Sequence, residues 1–77
     1  MDRGYRALRT YLRIRELAKE KGFSLNRLSR ASDVDLTTLQ RLVRDPSTQG
    51  VTLYTLVKLA DTLGVRLSEL IEEMKES

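Results

Sequence analysis

The chain has 77 residues, net charge +3, and neither cysteine nor histidine. That length supports one domain of modest core, and the missing residue types exclude disulfides, thiolate metal sites and histidine acid–base chemistry. No apolar run approaches the ~20 residues of a membrane span, and the arginine-rich start lacks the apolar stretch of a secretory signal.

Charge is unevenly spread. Residues 1–44 hold 11 Lys/Arg against 5 acids, a net +6, whereas residues 45–77 hold 3 against 6, a net −3. A basic half and an acidic half predict one side that faces a polyanion and one that does not.

In chain order, no segment alternates as a strand does, and the pattern predicts five helices in a single domain over 1–77. The first runs from about Tyr5 to Lys21 and closes at Gly22. Plotted at 100° per residue, its apolar side chains, from Tyr5, Leu8, Tyr11 and Leu12 to Leu17, spread over roughly 240°. A surface helix needs little more than 100°, so this helix is expected to meet a second partner, from its own chain or another.

Ser24 is the N-cap expected for a second helix over 25–32. Asp33-Val34 makes a turn, and Asp35 caps a third helix over 36–44. Apolar Leu28, Val34, Leu39 and Leu42, with small Ser29, have the spacing that locks two helices steeply together. The segment 24–44 is therefore a helical hairpin whose second helix leaves Thr37, Gln40, Arg41 and Arg44 outside the packed stripe. Residues 45–51, DPSTQGV, are a loop, with Asp45-Pro46 stopping the helix and Gly50 supplying flexibility. Thr52 caps a fourth helix over 53–63, ended by Gly64, and Ser68 caps a fifth over about 69–76. Leu53, Leu56, Val57, Ala60 and Leu63 make one apolar stripe, and Leu67, Leu70, Ile71 and Met74 another. Glu69, Glu72, Glu73 and Glu76 read as a solvated face, with Glu69 favouring the positive end of the last helix.

The run from Ile14 to Leu70 resembles the phage repressor and Cro type of helix-turn-helix domain, the XRE family. The pieces that carry the likeness are IRELAKEKGFS at 14–24, the hairpin at 25–44, and TLVKLADTLGVRLSELI at 55–71. The resemblance implies an all-α, lambda-repressor-like five-helix bundle whose third helix enters the major groove of DNA. It implies base-reading positions at Leu36, Thr37, Gln40, Arg41 and Arg44. It implies backbone-contacting positions at Ser24, Asn26, Arg27, Thr38, Thr48 and Gln49.

Three positions depart from the family pattern. Asp33 stands where a left-handed Gly is usual, Leu25 where a phosphate-binding Gln is frequent, and Leu36 where the first base-facing residue is often polar. An apolar Leu36 suits a thymine methyl and makes no bidentate bond, which shifts readout toward Arg41, whose planar fork matches guanine O6/N7.

The expected function is sequence-specific binding of double-stranded DNA by a small cytoplasmic transcriptional regulator of bacterial or phage type, a repressor. It acts as a homodimer on an inverted repeat, through the fifth helix or the surplus apolar side of the first, with no cofactor, metal or small-molecule ligand. The alternative is a protein-interaction module on the same fold, an antitoxin or accessory subunit, favoured by Leu25 and Leu36. Nothing in the chain pairs a nucleophile with a base, so no enzymatic activity is expected.

Overall fold

The computed structural model describes residues 8–46 and 50–75. In order these form β1 (Leu8–Leu12), α1 (Ile14–Glu20), α2 (Leu25–Ser32), α3 (Leu36–Arg44), α4 (Leu53–Leu63), α5 (Leu67–Leu70) and β2 (Ile71–Lys75). The five expected helices are present. Their core gathers Ile14, Leu17 and Ala18 from α1, Leu28 from α2, Leu39 and Leu42 from α3, Leu56, Leu59, Ala60 and Leu63 from α4, and Leu70 from α5. Leu28, Leu39, Leu42, Leu59 and Leu70 are wholly withdrawn from solvent. Each contributes about 1.5–3 kcal/mol of burial.

The capping expectations hold at Ser24, Thr52 and Gly64 and fail at Asp35. Ser24 Oγ accepts the Arg27 N–H at 3.2 Å, and Thr52 Oγ1 accepts the Thr55 N–H at 3.2 Å. Gly64, at φ +72°, ends α4 and lets Val65 N–H return to the Ala60 carbonyl at 3.0 Å. That left-handed turn satisfies carbonyls the helix leaves open. Asp35 precedes α3 without a side-chain capping bond.

Both chain ends depart from expectation. The long first helix is replaced by β1 and a shorter α1, and the fifth helix spans only Leu67–Leu70 before the backbone extends as β2. The two strands pair antiparallel, Tyr11 opposite Glu72 and Leu12 opposite Ile71. Leu12 N–H donates to the Pro46 carbonyl at 2.7 Å and Arg13 N–H to the Leu70 carbonyl at 2.9 Å, which ties the ribbon to the bundle. This resolves the over-wide apolar arc of the first segment. Leu12 is buried in the core by a strand, and no single helix has to carry the whole arc.

Ser68 is likewise not the cap of α5. The helix begins two residues earlier than expected, at Leu67, and Glu69 Oε1 accepts the Arg66 N–H at 2.7 Å, the reach-back half of a capping box. Glu69 therefore does sit at the positive end of the last helix. Among the described residues no helix is long and apolar enough to cross a membrane.

Candidate nucleic-acid interface

The hairpin is held by its turn. Asp33 adopts φ 62°, ψ 38°, a left-handed conformation in which Asp is among the better-tolerated non-glycine residues. Two reciprocal bonds close the turn: Val34 N–H donates to the Ser29 carbonyl at 3.2 Å, and Ser29 Oγ–H donates to the Val34 carbonyl at 2.5 Å. Lys58 of α4 donates to the Asp33 carbonyl at 2.9 Å. The turn is thus braced from its own helix and from a neighbouring one. Ser29 stands out in the sequence only for its small size; its hydroxyl bond across the turn and the clamp from Lys58 are visible only in three dimensions.

Helix α3 is divided cleanly. Leu39 and Leu42 are 0 % exposed, while Thr37, Gln40, Arg41 and Arg44 are all exposed. At about 100° per residue those four lie within roughly 100° of arc, centred opposite the buried pair. One helix therefore offers a hydroxyl, a side-chain amide and two guanidinium forks on a single outward face, fixed by leucines behind it. Leu36 is half-buried at the start of α3. With Asn26, Ser29 and Arg30 it lines a shallow groove of about 230 Å³ between the starts of α2 and α3. Thr38 is half-buried at the flank of the exposed face.

Around this face stand the residues expected to meet a phosphate backbone. Ser24, Asn26 and Arg27 are exposed at the start of α2, and Arg30 follows one turn on. The Ser24 hydroxyl oxygen accepts its capping bond from Arg27 N–H, leaving its own O–H to donate outward. The Arg27 guanidinium lies 5.8 Å from the Phe23 ring centroid, a stacking contact that restrains its swing. Leu25 is half-buried and packs against the core beside Phe23 and Val43. Its apolar character, odd at a phosphate-facing position, has a packing reason.

The loop side is only partly drawn. Thr48 and Gln49 lie outside the described residues. Gly50 is described, at φ +77°, and a Cβ built there would stand 3.8 Å from Arg41 Nη1. The Arg41 side chain therefore lies back along the loop that joins α3 to α4. Among the sequence-predicted positions, Thr37, Gln40, Arg41 and Arg44 share one exposed face of α3, Leu36 and Asn26 line one groove, and Arg27 lies against Phe23.

Comparison with known proteins agrees with the helix-turn-helix fold. The family model for the Cro/C1-type HTH DNA-binding domain matches residues 13–76. That stretch starts just after β1. Among solved structures, the chain is similar to the N-terminal DNA-binding domain of the master biofilm-regulator SinR from Bacillus subtilis. The likeness has 29 % sequence identity and a TM-score of 0.69, over 84 % of this chain and 93 % of that one. No curated protein matches.

Proposed function

The chain belongs to the Cro/C1-type helix-turn-helix DNA-binding family, and on that premise we propose that it is a transcriptional repressor that lays α3 in the major groove of duplex DNA. The observation that carries this reading is the division of α3, with Leu39 and Leu42 anchored at 0 % exposure and Thr37, Gln40, Arg41 and Arg44 exposed together on the far side. A rigid helix with that face outward is what direct readout needs.

Arg41 takes the guanine O6/N7 edge, leaving its resting place beside Gly50 to do so. Gln40 addresses adenine, Thr37 and Leu36 the nearby base edges and thymine methyls, and Arg44 a base edge or a phosphate one turn on. Ser24, Asn26, Arg27 and Thr38, with Thr48 and Gln49 of the loop, hold the backbone and set register without reading sequence. One domain of this size covers little DNA, so two copies act on an inverted repeat with half-sites about one helical turn apart. Occupying an operator that overlaps a promoter requires no further chemistry, and for that reason repression is the simplest regulatory outcome.

Neutralising about four to six phosphates gives a steep salt dependence, an affinity loss on the order of 10²–10³-fold between 50 and 200 mM salt. Fluorescence anisotropy with a labelled random-sequence duplex tests this directly. A salt-insensitive isotherm, or none at low salt, removes the DNA reading. It would favour the second reading, a protein-interaction module such as an antitoxin, for which half-buried apolar Leu36 at the head of α3 is the supporting feature. Packing of Leu25 against the core removes the other.

A further inference from the structure

Leu53, Tyr54 and Val57 stand 64 %, 71 % and 46 % exposed on the first turn and a half of α4. Scattered apolar side chains on a surface are ordinary; three contiguous ones on one helix mark an interaction surface. Leu53 and Val57, expected within the core stripe of this helix, lie with Tyr54 along the edge of the stripe that buries Leu56, Leu59, Ala60 and Leu63, and they remain exposed. In each of the two apolar faces that the sequence pattern offers for dimerisation, one described leucine is withdrawn from solvent. Leu12 and Leu70 are both buried, at the point where the ribbon meets the bundle.

The patch is also ordered. The Lys58 ammonium sits 4.7 Å from the Tyr54 ring centroid and at the same time donates to the Asp33 carbonyl at the hairpin turn. The Tyr54 ring is thereby tied to the element that aims α3. Gly50, against Arg41, is three residues before Leu53, so the patch begins where the DNA-facing surface ends.

We propose that the Leu53–Tyr54–Val57 face of α4 is the contact between two copies of this chain bound at neighbouring DNA half-sites. The inference rests on the DNA reading above, which requires a dyad. A two-fold axis passing beside Val57 sets Val57 of each copy against Val57 of the other, with Leu53 and Tyr54 alongside, a self-complementary contact. The rim carries one cation, Lys58, and one anion, Asp61, so the approach of two identical faces is not opposed by a single sign of charge. Three side chains fall far short of the ~1,200–2,000 Å² total burial of a stable interface. The chain is therefore monomeric free in solution, and DNA brings the faces together.

The test uses a duplex recovered from a random library by selection on this protein, alongside the same duplex with one half-site scrambled. The wild-type chain is expected to fill the whole site cooperatively, the second copy binding on the order of tenfold tighter than the first. Val57→Glu should abolish that factor while leaving affinity for the single half-site within about twofold. Because the chain has no cysteine, Val57→Cys places one thiol near the axis. It should form a disulfide-linked dimer on the whole site but not on the scrambled one, whereas Glu20→Cys should not. Cooperativity that survives Val57→Glu, or equal cross-linking of the two cysteine variants, overturns the proposal while single-half-site binding leaves the DNA reading standing. So does a DNA-free dimer by sedimentation velocity. If selection on the wild-type chain enriches no duplex, the DNA reading falls and this contact with it.

Discussion

Replacing Ser29 with Ala tests whether the hairpin turn is held by a side chain or merely by its two flanking helices. The Ser29 hydroxyl donates to the carbonyl of Val34, a residue only 5 % exposed. Removing it forfeits a net hydrogen bond of about 0.5–1.5 kcal/mol and leaves a poorly hydrated acceptor at a further cost of similar size. Alanine returns about 0.5 kcal/mol of helix propensity. The balance is a loss of about 1–2 kcal/mol, which for a domain of this length lowers Tm by roughly 5–15 °C. Ser32 supplies the control. It too is buried, and its hydroxyl donates to the Leu28 carbonyl at 2.6 Å. That carbonyl already receives the helical bond from four residues on, and such back-bonding slightly destabilises helices. Ser32→Ala should therefore be neutral within about 0.5 kcal/mol. Thermal unfolding followed by circular dichroism distinguishes the two. Equal shifts for both variants, or a Ser29→Ala shift below about 2 °C, would refute the assignment of the turn's stability to this bond.

Three further outcomes are expected. Arg41→Ala should relax preference at one base pair by about 1–3 kcal/mol of discrimination, read from the sequence profile of selected oligonucleotides; an unchanged profile removes Arg41 from the reading set. Gly64→Ala meets no heavy atom within 4 Å but must adopt φ +72°, so it should cost about 1–2 kcal/mol of backbone strain; this appears as a lower urea midpoint at unchanged m-value. The Tyr11 hydroxyl lies 3.3 Å from Glu16 Oε2, and the Glu16 carboxylate beside it raises the phenol above its ordinary 10.0. The folded state thus favours the neutral phenol. The resulting stability is complete below pH 10 and is lost as pH rises through the folded value. Glu16→Gln should bring the phenolate absorbance midpoint of Tyr11 down toward 10.0, measured with Tyr5 and Tyr54 replaced by Phe.

The parts of this protein legible in its sequence are those decided within a few residues. Ser24 and Thr52 cap because an oxygen three residues before a free N–H reaches it in nearly any helix start. Asp33 turns because a short polar side chain tolerates the left-handed region. The exposed face of α3 follows from helical period once Leu39 and Leu42 are assigned inward. Leu25 was harder, since an apolar residue at a phosphate-facing position reads as a lost contact. Only the packed structure shows it half-buried against the core, as Phe23 and Val43 are.

The ends of the chain were decided elsewhere. Leu8, Tyr11 and Leu12 have the spacing of a helix face, and nothing nearby argues against it. Their strand exists because Ile71–Lys75, about sixty residues away, supplies the other half of the ladder, and pairing preference depends on such neighbours more than on intrinsic propensity. The aim of α3 is of the same kind, since it depends on Lys58 reaching from α4 to the Asp33 carbonyl. By itself, then, the sequence determined a helix-turn-helix domain, the caps at Ser24 and Thr52 and the residues on its outward helix, because hydrogen bonds within a turn and the 3.6-residue period are local. Only the tertiary structure decided the ribbon at the termini, the brace on the turn and the uncovered face of α4. Each of these depends on which distant segments come to lie side by side.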